Sequence, residues 1–166
     1  MIQNKHIIPE CFADTLLVES LGFVKPNHQK NISQVIKFST NSIYRFSFGI
    51  IDDDKNKPPK LEKEFEKITE TYGLRLYQRK NASNYLIVLK PAFEKWVLFA
   101  AEMAGVKPED LNLPKDLKEF GKLTKRVNIG ENKEFKSFLK KIIKENPPPV
   151  YTLKSWLNGV FEETTL

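Results

Sequence analysis

The apolar positions of this chain fall into two kinds of block. Some are short runs rich in β-branched and aromatic residues; others are longer stretches with apolar residues three and four apart. Lys5–Pro9 predicts a short first strand that ends at Glu10. Asp14–Leu21 predicts a helix closed by Gly22. Phe23–Lys25 reads as a short strand before Pro26. Asn31–Phe38 fits a helical face through Ile32, Val35 and Ile36, while its β-branched content also permits a strand. A helix there gives a βαβ crossover into Tyr44–Ile51, which reads as a buried strand. After Pro58-Pro59, Leu61, Phe65 and Ile68 predict a helix over Lys60–Tyr72, ended by Gly73. Leu74–Arg79 and Tyr85–Leu89 predict a hairpin or two adjacent edge strands. Pro91 opens a helix over Ala92–Ala104, closed by Gly105.

From Lys107 onward the pattern is helical. Asp116–Lys125 is one predicted helix and Asn132–Glu145 another. The second puts Phe135, Phe138, Leu139, Ile142 and Ile143 on one face, and Lys133, Lys136, Lys140, Lys141 and Lys144 mostly on the other. Asn146 and three prolines break it, and Thr152–Phe161 predicts a last helix carrying Trp156. The expected fold class is α/β: a mostly parallel sheet flanked by helices over 1–106, with an α-helical, basic extension over 107–166 packed on that core.

Composition narrows the field. In 166 residues, 40% are hydrophobic and 29% charged, ordinary values for a soluble globular chain. No apolar run approaches a bilayer span, and the N-terminus lacks a signal-peptide pattern, so the expectation is a cytoplasmic protein without membrane partners. The lone Cys11 excludes an internal disulfide and a cysteine-based zinc cluster. Net charge is +6. Residues 1–110 carry 16 basic and 14 acidic side chains and residues 111–166 carry 11 and 7, so the surplus leans toward the helical part. A lysine-rich solvated surface explains such a surplus. So does a polyanionic partner, DNA or RNA, gripped by the lysines at 133, 136, 140, 141 and 144.

The chemistry concentrates at Phe48-Gly49-Ile50-Ile51-Asp52-Asp53-Asp54, where an apolar run ends in three acids. Ligands of open α/β sheets bind at the carboxyl ends of strands, and a divalent cation relieves repulsion between close carboxylates. Asp52 and Asp54, two apart at a turn, can reach one ion. Glu10, at the end of a parallel neighbour, can meet them, and Asp14 in the first turn of the next helix can contribute or simply cap that helix. Oxygen-only ligands suit Mg²⁺ or Mn²⁺. Lys55 either neutralises the acids or binds a phosphate. His28 is a loop residue available as phosphate contact or proton donor. Glu94 either serves the site or favours its helix dipole.

The order strand–Glu–helix, then strand ending in Asp-x-Asp, resembles the TOPRIM fold of topoisomerases, primases and related nucleases. The matching stretches are Ile7-Ile8-Pro9-Glu10-Cys11-Phe12-Ala13-Asp14 and Gly49-Ile50-Ile51-Asp52-Asp53-Asp54. Leu89-Lys90-Pro91-Ala92-Phe93-Glu94-Lys95-Trp96 and Asn27-His28-Gln29-Lys30-Asn31 are similar to small bacterial TOPRIM-like proteins associated with mobile elements or defence. The resemblance covers about residues 5–105. It implies a glutamate, Glu10, as general acid or base, and Asp52 and Asp54 as Mg²⁺ ligands. One departure stands out, because TOPRIM glutamates are commonly followed by glycine and Cys11 follows Glu10 here.

A chain of this length has little room for topoisomerase or primase machinery, which leaves a Mg²⁺-dependent nuclease or phosphotransfer domain, alone or with a protein partner or second copy. The competing reading is an inactive TOPRIM-like module that binds nucleic acid or a protein. A receiver-type domain ranks lower, since the strands at Leu74 and Tyr85 end without acids.

Overall fold

The computed structural model describes residues 3–41, 43–53 and 60–161. Along the chain lie β1 (Ile7–Pro9), α1 (Phe12–Ser20), α2 (Ile32–Ser39), β2 (Phe46–Asp52), α3 (Lys60–Glu64), β3 (Phe65–Thr71), β4 (Leu74–Arg79) and β5 (Ser83–Leu89). They are followed by α4 (Phe93–Ala104), α5 (Leu117–Thr124), α6 (Lys133–Glu145) and α7 (Pro148–Leu157). The five strands form one mixed sheet in the order β1-β2-β5-β4-β3. β1, β2 and β5 pair in parallel, and β4 runs antiparallel to both β5 and β3. The carboxyl ends of β1, β2 and β5 therefore share one edge of the sheet with the β3–β4 turn.

Alternation along the strands builds two apolar layers. Ile7, Ile50, Leu76, Ile87 and Leu89 face α1 and α4 to α7, together with Trp96, Phe120, Phe135 and Phe138. Ile8, Ile51, Leu86 and Val88 face the other way, against Ile32, Val35 and Ile36 of α2 and Leu61 before β3. The helices after residue 107 thus bury their apolar stripes in the same layer as α1 and α4. Gly49 sets the approach of α2. A Cβ there would collide with Leu86 and lie 2.7 Å from Val35 Cγ1 and 2.8 Å from Ser39 Oγ.

Three elements differ from the sequence expectation. The stretch predicted as one helix over 60–72 is a single helical turn followed by β3. Leu61 and Phe65 are buried as the helical spacing requires, but Ile68 is about half exposed at a bulge between Lys67 and Thr69. Pairing with β4 gives the backbone of 65–71 a ladder, and that partner outweighs the local spacing. Residues 23–25 form no strand. Lys25 has φ +47°, Pro26 has no N–H, and the segment instead hydrogen-bonds to the outer edge of β1 through Asn27 N to Ile7 O (2.8 Å) and Gln29 N to Pro9 O (2.9 Å). The last helix begins at Pro148, not Thr152. Prolines are accepted in a first helical turn, where no N–H is needed, so the triplet starts this helix as well as ending α6.

Candidate functional site

Each acidic residue of interest is placed by an element end. Glu10 follows β1 directly, and its backbone N–H donates to Ile50 O at 3.1 Å, holding it beside β2. Asp52 closes β2 opposite Leu89 of β5. Its Oδ1 accepts from Phe93 N of α4 at 3.1 Å, and its own N–H donates to Glu10 Oε2 at 3.4 Å. The acids at the ends of two parallel neighbours therefore meet, as the sequence order predicts. Asp53 N donates to Leu89 O at 3.0 Å, which extends the β5 register by one step past the strand end.

Cys11 caps α1, its Sγ accepting from Asp14 N at 3.3 Å. Its backbone is extended (φ −122°, ψ 170°), a conformation open to any residue, so nothing at this turn demands glycine. Burial, then the neighbouring Asp14, raise the Cys11 pKa far above the ordinary thiol range, which makes it a neutral packing group rather than a nucleophile.

Asp14 is the least expected member. It is fully buried in the first turn of α1, and neither carboxylate oxygen has a hydrogen-bond partner. Burial is the main cause of a strongly raised pKa. Repulsion from Asp52 comes next; the Cys11 thiol opposes the rise, ahead of the smaller repulsion from Glu10, and the Cys11 backbone opposes it last. Asp14 is not the N-cap, a position that Cys11 fills; it is the third residue of the helix.

His28 is not in the cleft lining. It stacks on Phe12 with ring centroids 4.4 Å apart, and its Nδ1 lies 2.9 Å from Thr15 Oγ1. Thr15 donates its proton to Cys11 O at 2.8 Å, which assigns Nδ1–H as donor to Thr15. Burial lowers the His28 pKa, and the ring packs against the turn that follows Glu10. Lys133, Lys136, Lys140, Lys141 and Lys144 are exposed on α6 and do not line the cleft. Asp54 and Lys55 lie outside the described residues.

Around the acids opens a cleft of about 540 Å³. One wall is the Glu10–Ala13 turn with Asp52 and Asp53. The start of α4, Pro91 to Glu94, and Thr124 and Lys125 from the end of α5 complete the lining. Thr124 Oγ1 donates to Glu94 at 2.9 Å and fastens α5 to the first turn of α4. Neither Thr124 nor Lys125 stands out in the sequence, because both reach the cleft only through this tertiary contact. Among the described residues no group of three His, Cys, Asp or Glu side chains is arranged to hold a metal ion. No described helix is long and apolar enough to cross a membrane.

Compared with known proteins, the chain matches no protein-family model, no curated protein and no solved structure.

Proposed function

We propose that the cleft is a Mg²⁺- or Mn²⁺-dependent phosphodiester site of TOPRIM-like type acting on nucleic acid. The observation that carries the reading is Asp14, a fully buried carboxylate within electrostatic reach of both Asp52 and Glu10. Carboxylates gathered at one sheet edge repel one another, and a divalent cation relieves that repulsion. The donor set fits a hard divalent ion, because it is all oxygen. Glu10 and Asp52 would hold the ion, with Asp54 as the third ligand and Asp14 as the charge behind them. When bound, such an ion polarises phosphoryl oxygens and lets water attack at neutral pH.

The remaining roles belong to the chain. Phe93 N–H fixes one oxygen of Asp52. Glu10, held against the Asp52 amide at the mouth of the cleft, is the group placed to take or return a proton. The second reading, a module that binds nucleic acid or a protein without cleaving, draws on the lack of a ready three-ligand group among the described residues.

Calorimetry with Mn²⁺ and Mg²⁺ on the wild type and on Asp52→Ala, beside incubation of each with plasmid, single-stranded DNA and RNA, decides between them. The phosphodiesterase reading expects ion binding and ion-dependent cleavage, both lost in Asp52→Ala. Ion-independent retention of nucleic acid without cleavage selects the second reading. Absence of ion binding by the wild type removes the metal site.

A further inference from the structure

Among the described residues that line the cleft, two are aromatic, Phe12 and Phe93. Phe93 is buried among the helices, whereas Phe12 is 45% exposed. An exposed phenylalanine is common on a protein surface and by itself marks nothing. Phe12 differs in where it stands and in how it is held. It is the first residue of α1, two positions after Glu10. Two residues span at most about 7 Å of chain, so the ring starts about as far from the acid at the end of β1 as the base of one nucleotide lies from its own phosphate.

The ring is oriented before any ligand arrives. His28 stacks on one face, with centroids 4.4 Å apart and planes 24° from parallel. The imidazole is held in turn: its Nδ1 lies 2.9 Å from Thr15 Oγ1, which donates to Cys11 O at 2.8 Å. Cys11 stands between Glu10 and Phe12, so the brace closes on the turn that carries both. Phe12 lines the cleft and His28 does not, so the imidazole closes one face from outside and the rest of the ring is left to cleft and solvent. A fixed aromatic ring of this kind binds flat π-systems by stacking, and every nucleobase is one. Within a duplex both faces of a base are taken by its neighbours. Only an unpaired base has a face to offer Phe12.

We infer that Phe12, backed by His28, is a base-stacking residue at the cleft, and that the substrate class is single-stranded nucleic acid. The inference rests on the phosphodiester reading of the cleft. The wild type, Phe12→Ala, Phe12→Leu and Phe12→Trp are compared in two measurements. One is Mn²⁺ binding by calorimetry. The other is fluorescence anisotropy of a short fluorescein-labelled single strand, as DNA and as RNA, and of a blunt duplex, each across a salt series in Mn²⁺ and in chelator. The expected result is unchanged Mn²⁺ binding in all four proteins. Phe12→Ala and Phe12→Leu bind the single strand about tenfold more weakly, and Phe12→Trp keeps the affinity. The salt slope stays the same throughout, because a neutral ring displaces no counterion, and duplex affinity does not change. If Phe12→Ala binds the single strand as the wild type does, Phe12 is a surface ring and the phosphodiester reading still stands. An equal loss on strand and duplex, or full affinity in Phe12→Leu, makes the ring a packing residue and overturns the inference. Loss of Mn²⁺ binding in all three variants does the same. If the wild type binds the single strand in chelator and the variants show the expected order, the stacking role stands and the metal reading falls. If the wild type binds neither single strand nor duplex, both fall.

Discussion

Two carboxylates near the same sheet edge live in opposite surroundings. Asp14 is buried, receives no hydrogen bond, and faces two further acids. Glu70, near the end of β3, is partly exposed and receives three cations: Lys90 at 2.8 Å, Arg75 at 3.0 Å and Lys67 at 3.4 Å. The pKa values move apart accordingly. Burial foremost drives Asp14 up, while the Lys90 hydrogen bond foremost, with Arg75 behind it, holds Glu70 down at about 2. Glu70 thus sits in a cluster of cations, while Asp14 is buried beside two further acids. That contrast separates a structural acid from a candidate ligand better than a count of acids does.

The contrast breaks most visibly with an added ion. Mg²⁺ or Mn²⁺ at about a hundred times its dissociation constant is expected to stabilise the wild type by about 2.7 kcal/mol. The same ion leaves Glu70→Gln stabilised equally and Asp52→Ala unmoved. Chemical denaturation with and without chelator measures it. Next in size, Asp14→Asn in chelator at neutral pH is expected to gain about 1–3 kcal/mol, because a buried acid that must stay protonated or suffer repulsion is replaced by a neutral isostere. A loss of stability in that variant would show that Asp14 has compensation from its surroundings.

The pH profiles should run in opposite directions. A raised folded pKa means that the folded state holds its proton longer than the unfolded chain does. The Asp14 contribution is thus complete below about pH 4 and is lost as pH rises toward the raised value. A depressed folded pKa acts the other way. The Glu70 contribution is complete above about pH 4.5 and is lost as pH falls toward about 2. Melting curves in chelator from acid to neutral pH should show the first slope in the wild type and not in Asp14→Asn. The smallest effect is Glu70→Gln at neutral pH, a loss below about 1 kcal/mol that high salt removes, since the cluster is partly solvated.

Much of the acidic wall was legible in the sequence. Glu10 and Asp52 each end a short apolar run, and the helical crossover between β1 and β2 makes those strands parallel neighbours, so their meeting follows from order alone. The helices with strong end signals were equally plain: α4 ends at Gly105 in the left-handed conformation, and Asn132 caps α6 through Phe135 N. Residues 60–72 misled because Leu61, Phe65 and Ile68 satisfy a helical period, while the deciding partner, β4, lies beyond the turn at Gly73. The contribution of α5 to the cleft was not legible. Thr124 and Glu94 are 30 residues apart and ordinary in their local settings, and only packing joins them. The burial of Asp14 was equally hidden, since a carboxylate one residue before Thr15 reads as a cap until Cys11 is seen to fill that role.

The segment beside β1 has a consequence for how copies of this protein meet. With Asn27 and Gln29 donating to Ile7 and Pro9, the β1 side of the sheet offers little to a foreign strand. Growth by strand addition is left to β3. There the bulge between Lys67 and Thr69 interrupts the even ladder, and Glu66, Lys67 and Glu70 put alternating charges along the border. Aggregation edge to edge is therefore discouraged at both margins, by occupancy at one and by irregularity and charge at the other.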